Sequence, residues 1–165
     1  MDRKFIFRIT TLFLCLAVIM FNPFLAAAQA DQGFTESFDD SELSGWEHAP
    51  EVIVTDGVLR IGPAQFAAPM GGWQDFTLTF KLRYSGEGET HVNYRASEQG
   101  SYLLVLHLEW IRLIRTVPQG EPGELAQANS DALNTSEWIN VQIFLSENTH
   151  TISINGENLI NITDS

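Results

Sequence analysis

Two consecutive alternating runs of the chain carry polar side chains with the spacing of a binding face on a β-sheet. In each run the polar residues alternate with apolar ones, so they point to one side of a strand. A short connection at 97–100 joins the two runs as a hairpin, which would bring both polar sides to the same sheet face. The residues concerned are His91, Asn93, Arg95, His107 and Glu109. Amide, guanidinium and carboxylate groups can each form two hydrogen bonds to a polar ligand. An ordinary solvent-exposed sheet face shows the same alternation of polar and apolar residues.

The same residues were compared with the requirements of metal binding and catalysis. His91, His107 and Glu109 are zinc-ligand types, but they form no closed ligand motif. A glycosidase needs two carboxylates about 5–9 Å apart. Glu109 is one candidate, and a second would come from Glu47, Glu89 or Asp75. None of these acids has a partner two or four residues away on its own strand, so no catalytic pair is predicted.

Period-two alternation also defines the elements that would carry the polar residues. Strands are predicted at 76–84, 90–95, 102–110, 141–145 and 152–154, with Trp110 on the phase that faces the core. Asp56-Gly57 and Asn155-Gly156 favour tight hairpin turns. The polar stretch 118–135 is predicted as a surface loop with one helical turn at most. Many short strands separated by turns predict an all-β, two-sheet antiparallel sandwich.

Charge excludes one class of partner. The chain has 165 residues, with 21 acids against nine lysines and arginines, and a net charge of −12. Residues 31–165 alone carry a net charge of −14. A nucleic-acid-binding surface needs excess positive charge, so nucleic acid is not expected as a partner. The length suits one domain over 31–165. Cys15, the only cysteine, lies upstream of that domain.

Residues 1–30 have the pattern of a secretory signal peptide. A short basic segment precedes an apolar run at 9–25, and Ala28-Gln29-Ala30 fits a cleavage site. The alternative is an uncleaved anchor helix, which needs about 20 apolar residues; Pro23 and the alanine run favour cleavage. The mature protein is therefore expected to begin at Asp31, in the cell envelope, periplasm or extracellular space, without membrane insertion.

Several short motifs resemble concanavalin A-like jelly-roll domains, in particular the laminin-G-like and 3-keto-disaccharide-hydrolase-like groups. The matching segments are Phe38-Asp39-Asp40, Trp46, Asp56-Gly57-Val58-Leu59, 76–83, Asn93-Tyr94-Arg95, Tyr102-Leu103-Leu104 and Trp138 through Asn155-Gly156. The resemblance covers most of 34–165 and implies a two-sheet jelly-roll sandwich. The family usually adds a further closing strand after an acid like Asp164, so the chain is expected to be a fragment or to lack an edge strand.

The resemblance also implies a function. It assigns the polar face of residues 90–110 to glycan binding, in an exported, non-catalytic module that binds carbohydrate or another surface ligand. It implies no required cofactor. It is compatible with a structural calcium ion held by Asp39, Asp40 and Asp164, although acids of this kind also fit an ordinary turn. One alternative is a glycoside-processing hydrolase with Glu109 as acid or base. Another is a structural or protein-interaction domain of a larger extracellular protein, which pairs through an exposed strand edge.

Overall fold

The computed structural model of the protein describes residues 34–39, 42–69 and 73–165. The predicted signal peptide lies outside these residues. The chain divides into two compact units, Met1–Pro69 and Met70–Ser165. Within the described residues, no helix is long and apolar enough to cross a bilayer.

Within residues 34–39 and 42–69, the first unit holds two antiparallel strand pairs. These are β1 (Trp46–His48) with β4 (Ala67–Pro69), and β2 (Ile53–Thr55) with β3 (Val58–Arg60). Asp56 and Gly57 connect β2 to β3 with φ angles of 54° and 70°. A type I′ turn requires positive φ at both of these positions, so the predicted hairpin is confirmed together with the reason for it.

The second unit contains eight strands within the described residues. They are β5 (Phe76–Leu82), β6 (Glu89–Ser97), β7 (Gly100–His107), β8 (Trp110–Thr116), β9 (Gly123–Asn129), β10 (Ile139–Ser146), β11 (Thr149–Ile154) and β12 (Glu157–Thr163). One sheet has the order β12–β11–β10–β5 and the other has the order β6–β7–β8–β9. All neighbouring strands are antiparallel. The predicted all-β class with two antiparallel sheets is confirmed.

The inward side chains of these two sheets form one apolar core. Alternate residues of β10 are buried in the core, as are Leu104 and Leu106 of β7 and Ile111 and Leu113 of β8. The residues between them point away from the core. Burial of each such leucine or isoleucine stabilises the fold by about 1.5–3 kcal/mol. The central members, none more than 1% exposed, are Leu104, Leu106, Ile111, Leu113, Ile139, Val141, Ile143 and Leu145.

Two sequence-based element predictions are wrong. The predicted strand 102–110 is broken by a turn, because β7 ends at His107 and β8 begins at Trp110. In the sequence, apolar residues continue to alternate with other residues through this turn. The turn also contains no glycine or asparagine that would indicate it. The predicted loop 118–135 contains β9 and a 3-10 helix at Asp131–Leu133. β9 partly buries only Leu125 and two alanines. A bulge in β9 at Leu125, between the pairs Leu113–Ala126 and Ile114–Glu124, shifts its phase and conceals the strand pattern.

A buried histidine lies inside the core of the second unit. His150 on β11 is 0% exposed, and its Nδ1 is 2.9 Å from the hydroxyl of Tyr94 on β6. The Tyr102 ring from β7 lies 4.3 Å from the imidazole, between ring centroids. Nε2 of His150 is buried without a hydrogen-bond partner among the described residues. Burial lowers the pKa of His150, with Asp164 raising it and Arg95 lowering it by smaller amounts.

We expect this histidine to make folding stability depend on pH. The unfolded chain takes up the His150 proton near pH 6.5, whereas the folded chain takes it up only at lower pH. The free energy of unfolding should therefore fall as pH drops below about 6.5, by at most about 1.4 kcal/mol per pH unit for one proton, until the folded-state pKa is reached. Urea unfolding at pH 7.5 and 5.5 measures this loss.

The matched variant is His150→Asn, in which an amide replaces Nδ1 near Tyr94 without titrating. It should lose less stability than wild type between the two pH values. His91→Asn, which changes an exposed imidazole, should keep the wild-type dependence. Equal losses in wild type and His150→Asn would contradict the assignment.

Candidate ligand-binding face

The outward side chains of β6, β7, β8 and β9 form a face with an apolar floor. Leu103, Val105 and Ile114 lie at its centre, and the strand register places Val105 between His91 and Arg112. Val105 is only 5% exposed although it points away from the core, because the long polar side chains around it cover its methyl groups. We call this surface the β6–β9 face.

Three of the five predicted side chains lie on the β6–β9 face. His91 and Asn93 project from β6, and His107 projects from β7 beside Glu89, its partner in the register. The His91 imidazole is 3.1 Å from the Glu89 carboxylate, and both side chains are substantially exposed. Glu89, one residue before the strand predicted at 90–95, begins β6. The predicted clustering of these three residues agrees with the structure, while their role in binding stays a prediction.

Glu109 does not lie on a strand. It belongs to the two-residue turn between β7 and β8, where its backbone N–H donates to His107 Nδ1 at 3.3 Å. Its carbonyl accepts a hydrogen bond from the Ser130 backbone at 2.9 Å. The carboxylate is therefore carried at the end of the sheet and not on the face, because the strand in which it was predicted ends two residues earlier.

Arg95 also departs from the predicted group. A bulge between Tyr94 and Ser97 interrupts the β6–β7 ladder, and Arg95 adopts a left-handed φ of 52° there. Its Nη1 donates to the carbonyl of Glu147, in the turn between β10 and β11 of the opposite sheet. The bulge reverses the expected side of the side chain, so Arg95 links the two sheets at one end instead of joining His91 and Asn93.

The β6–β9 face includes an aromatic residue that was predicted in the core. Trp110 is half-buried and points outward, and the His107 ring is stacked on it at 4.8 Å with an interplanar angle of 17°. The Arg112 guanidinium lies 4.7 Å from the indole centroid, in cation–π range. The turn at 108–109 causes this reversal, because it restarts the alternation with Ile111 and Leu113 on the buried phase.

Arg112 joins the aromatic pair to β9. Its Nε and Nη2 donate to Gln127 Oε1 at 3.0 and 2.8 Å, and Nε is 3.0 Å from the Glu124 carboxylate. Sequence reasoning missed Arg112, Gln127 and Glu124, because the last two lie in the stretch predicted as a loop. The alternation of Trp110, Arg112 and Ile114 against the buried Ile111 and Leu113 was the available signal for Arg112. The face as built therefore offers an indole, a guanidinium, amides, imidazoles and carboxylates.

The acids predicted to bind calcium have other partners where they are described. Asp39 is exposed and accepts the Ser37 hydroxyl at 2.7 Å, and Asp40 lies outside the described residues. Asp164 Oδ2 accepts the Tyr102 hydroxyl at 2.8 Å and is 3.1 Å from Arg115 Nη1. No group of three or more histidine, cysteine or acidic side chains suited to a metal occurs within the described ranges. Calcium binding stays a prediction.

The Asp164 carboxylate is positioned to stabilise the end of β12. Its side chain is only 10% exposed, and burial together with the carboxylate raises the pKa of Tyr102, which keeps that hydroxyl protonated as a donor. We expect Asp164→Asn to lower the free energy of unfolding by about 1–2 kcal/mol, because a charged acceptor is replaced by a neutral one. Urea unfolding in EDTA measures this cost without a contribution from calcium.

Asp39→Asn is the matched control, because Asp39 is an exposed acid that accepts a single hydroxyl. It should stay within about 0.5 kcal/mol of wild type. If Asp164→Asn proves as stable as wild type, the ion pair with Arg115 contributes nothing. Repeating the series with calcium chloride tests the calcium prediction, which requires a stabilisation of wild type that Asp164→Asn loses.

Comparison with known proteins places this architecture in the class of jelly-roll sandwiches. The solved structure of the carbohydrate-binding module CBM66 from Bacillus subtilis superimposes with a TM-score of 0.60 at 14% sequence identity, covering 73% of this chain and 80% of that one. At this identity the similarity establishes the fold. No curated protein sequence matches the chain.

A family model identifies the group more closely. The 3-keto-alpha-glucoside-1,2-lyase-like domain model matches residues 33–165, and the chain belongs to this family. The resemblance to concanavalin A-like domains of the 3-keto-disaccharide-hydrolase-like group is thereby confirmed. Similarity to laminin-G-like domains stays a prediction.

Proposed function

We propose that the protein is an exported, non-catalytic module that binds a glycan on the β6–β9 face. The observation that carries the proposal is the combination of an apolar floor and an outward indole, surrounded by planar hydrogen-bonding groups. Sugar rings present C–H faces that pack on the half-buried Leu103, Ile114 and Trp110, and hydroxyl groups that pair with amides and carboxylates. The carbohydrate-binding module of similar fold supports this function.

The charges on the face favour a glycan without strong charge. Arg112 is paired with Glu124, and His91 with Glu89, so the face offers no uncompensated cation cluster for an anionic ligand. The net charge of −12 opposes polyanions at long range as well. Affinity at the face comes from a few exposed hydrogen bonds and one aromatic contact, so each site binds weakly. The ligand lies outside the cytoplasm, where the predicted signal peptide directs the protein.

The test compares two exposed asparagines on the edge strands of opposite sheets. Asn93 lies on β6 within the proposed site, and Asn161 lies on β12 of the other sheet. After a glycan array identifies a ligand, Asn93→Ala should weaken its binding about fivefold to tenfold, because one hydrogen bond contributes about 1 kcal/mol. Trp110→Ala should weaken it more than tenfold. Asn161→Ala should bind as wild type does. Isothermal titration calorimetry measures all three.

Equal loss in Asn93→Ala and Asn161→Ala would contradict the placement of the site on the β6–β9 face. If the wild-type protein binds no glycan on the array, the glycan-binding proposal is wrong. That result would favour the alternative of a structural domain that associates through its edge strands. Melting temperatures of each variant separate loss of binding from loss of folding.

The family description favours one second candidate function, a lyase acting on a 3-keto-glucoside. A 3-keto group acidifies the neighbouring C2–H, so elimination needs a base at C2 and an acid at the glycosidic oxygen. His91, oriented by Glu89 at 3.1 Å, has the arrangement of a general base. It would take the C2 proton while the C1–C2 double bond forms and the C1–O bond breaks. Glu109 lies at the end of the sheet and not beside His91, so the departing oxygen would take its proton from solvent water.

A 3-keto-disaccharide assay separates the two functions. If the protein is a lyase, wild type should release the leaving sugar, and His91→Asn should lose at least about 100-fold in rate, the scale of general-base catalysis. Glu147→Gln, which changes an acid in the β10–β11 turn, should retain full activity. Under the binding proposal, wild type shows no turnover above the buffer rate.

A further inference from the structure

The opposite sheet carries a shallow polar depression on its own outer face. The depression has a volume of about 320 Å³ and lies across β5, β10, β11 and the β11–β12 turn region. Its principal lining residues are Thr79, Asn140, Gln142, Ser153, Gly156 and Asn158. None of these residues belongs to the β6–β9 face, so any ligand here is held independently of the site proposed above.

Two amides on β10 dominate the lining and have spare hydrogen-bonding capacity. The Asn140 backbone is fixed by Asn155, with bonds of 2.8 and 2.9 Å, while its side-chain amide has no partner within the described part of the chain. The Gln142 amide makes one long contact, 3.5 Å from the Thr79 hydroxyl. The two residues point the same way, about 7 Å apart along the strand. The backbone is held in place, and the exposed Asn140 and Gln142 amides have donors and acceptors available to a ligand.

An exposed indole extends the depression at one end. Trp138 precedes β10 on the same phase as Asn140 and is 42% exposed. The Arg83 guanidinium lies 4.8 Å from its ring centroid. An indole beside a row of amides offers an apolar surface and polar edges in line, which suits an extended chain of sugar rings better than a single compact ligand.

The charges around the depression point to an uncharged ligand. Among the outward positions of these four strands, Lys81 is the only charged residue described and no acid occurs. Glu137, in the connection before β10, and Glu157, the first residue of β12, offset Lys81 and Arg83. The net charge of −12 would repel a polyanion, and the side chains of Lys81 and Arg83 would repel a polycation at this surface. An uncharged, polyhydroxylated chain experiences neither repulsion.

We propose that this depression and Trp138 form a second glycan site, which takes an extended, uncharged oligosaccharide. The sheet that carries it packs its inner face against the sheet that carries the first site. A single domain would then present binding surfaces on opposite sides and join two polysaccharide chains. Occupation of both sites on a polymer raises retention well beyond the affinity of either site.

Affinity electrophoresis in native gels tests the second site directly. The probes are the soluble neutral polysaccharides dextran, laminarin and inulin, at increasing concentrations in the gel. At least one of them should slow the wild-type protein, and the slowing should persist from low to high salt. Gln142→Ala should raise the apparent Kd about fivefold to tenfold through loss of the hydrogen bonds of one amide, and Trp138→Ala by at least as much.

Gln119→Ala is the matched control, because Gln119 is an exposed glutamine in the connection between β8 and β9. It should migrate as wild type does. Equal loss in Gln119→Ala and Gln142→Ala, no slowing of wild type by any neutral polymer, or slowing that salt abolishes would each overturn the proposal. Circular dichroism melts confirm that the variants fold.

Trp110→Ala distinguishes failure of this proposal from failure of the first site. With both sites real, Trp110→Ala and Gln142→Ala each leave partial retention, and the double variant loses it. Full loss in Trp110→Ala with no change in Gln142→Ala would leave the β6–β9 face standing alone. Unchanged retention in Trp110→Ala with loss in Gln142→Ala would leave the depression alone.

Discussion

Packing of the two sheets in the second unit is the interaction on which the other features depend. Leucines and isoleucines from β7 and β8 meet those from β10 and β11 with almost no exposure. A strand that slipped by one residue would turn its apolar side chains to water and its polar ones into the core. The cost of such a slip fixes the register, and the register decides which side chains appear on each outer face. Both proposed ligand surfaces therefore follow from how the interior is filled.

Polar groups inside this core are few and specific. The Tyr94 hydroxyl lies 2.9 Å from His150 Nδ1 on β11, and the Tyr102 hydroxyl donates to Asp164 just after β12, so both of these phenols have a polar partner from the other side of the core. Pairs of this kind prefer one alignment of the sheets, because misalignment leaves a buried hydroxyl unpaired. Hydrophobic burial supplies most of the stability, and these pairs fix the alignment of one sheet relative to the other.

Strong local signals made a large part of this architecture predictable from sequence. Asp56-Gly57 and Asn155-Gly156 adopt the positive φ angles that their turn type requires, and the alternation around Leu78 and Ile143 gives β5 and β10 correctly. Three of the five residues of the predicted face were also placed correctly, because His91, Asn93 and His107 lie on strands whose phase is undisturbed. Their assignment needed only the period of a β-strand.

The sequence-based predictions were wrong where the set of residues that faces the core changes and no glycine or asparagine in the sequence indicates the change. The turn after His107 contains leucine and glutamate, so Trp110 was assigned to the core and Glu109 to the face. The bulge after Tyr94 turns the Arg95 side chain toward the other sheet. A second bulge, where β9 pairs with Leu113, interrupts the alternation by which β9 could have been predicted. Bulges and unmarked turns depend on pairing with a distant strand, which a single run of residues does not reveal.

The alternation of inner and outer positions has a consequence for how such a domain evolves. Asn140 and Gln142 share β10 with Val141 and Ile143, yet a substitution at an amide leaves the packed neighbours untouched. Selection can therefore alter one surface without eroding the scaffold or the opposite surface. Descendants of one ancestral domain can diverge widely in what they recognise while they retain the same interior, and low sequence identity between similar folds is the expected result.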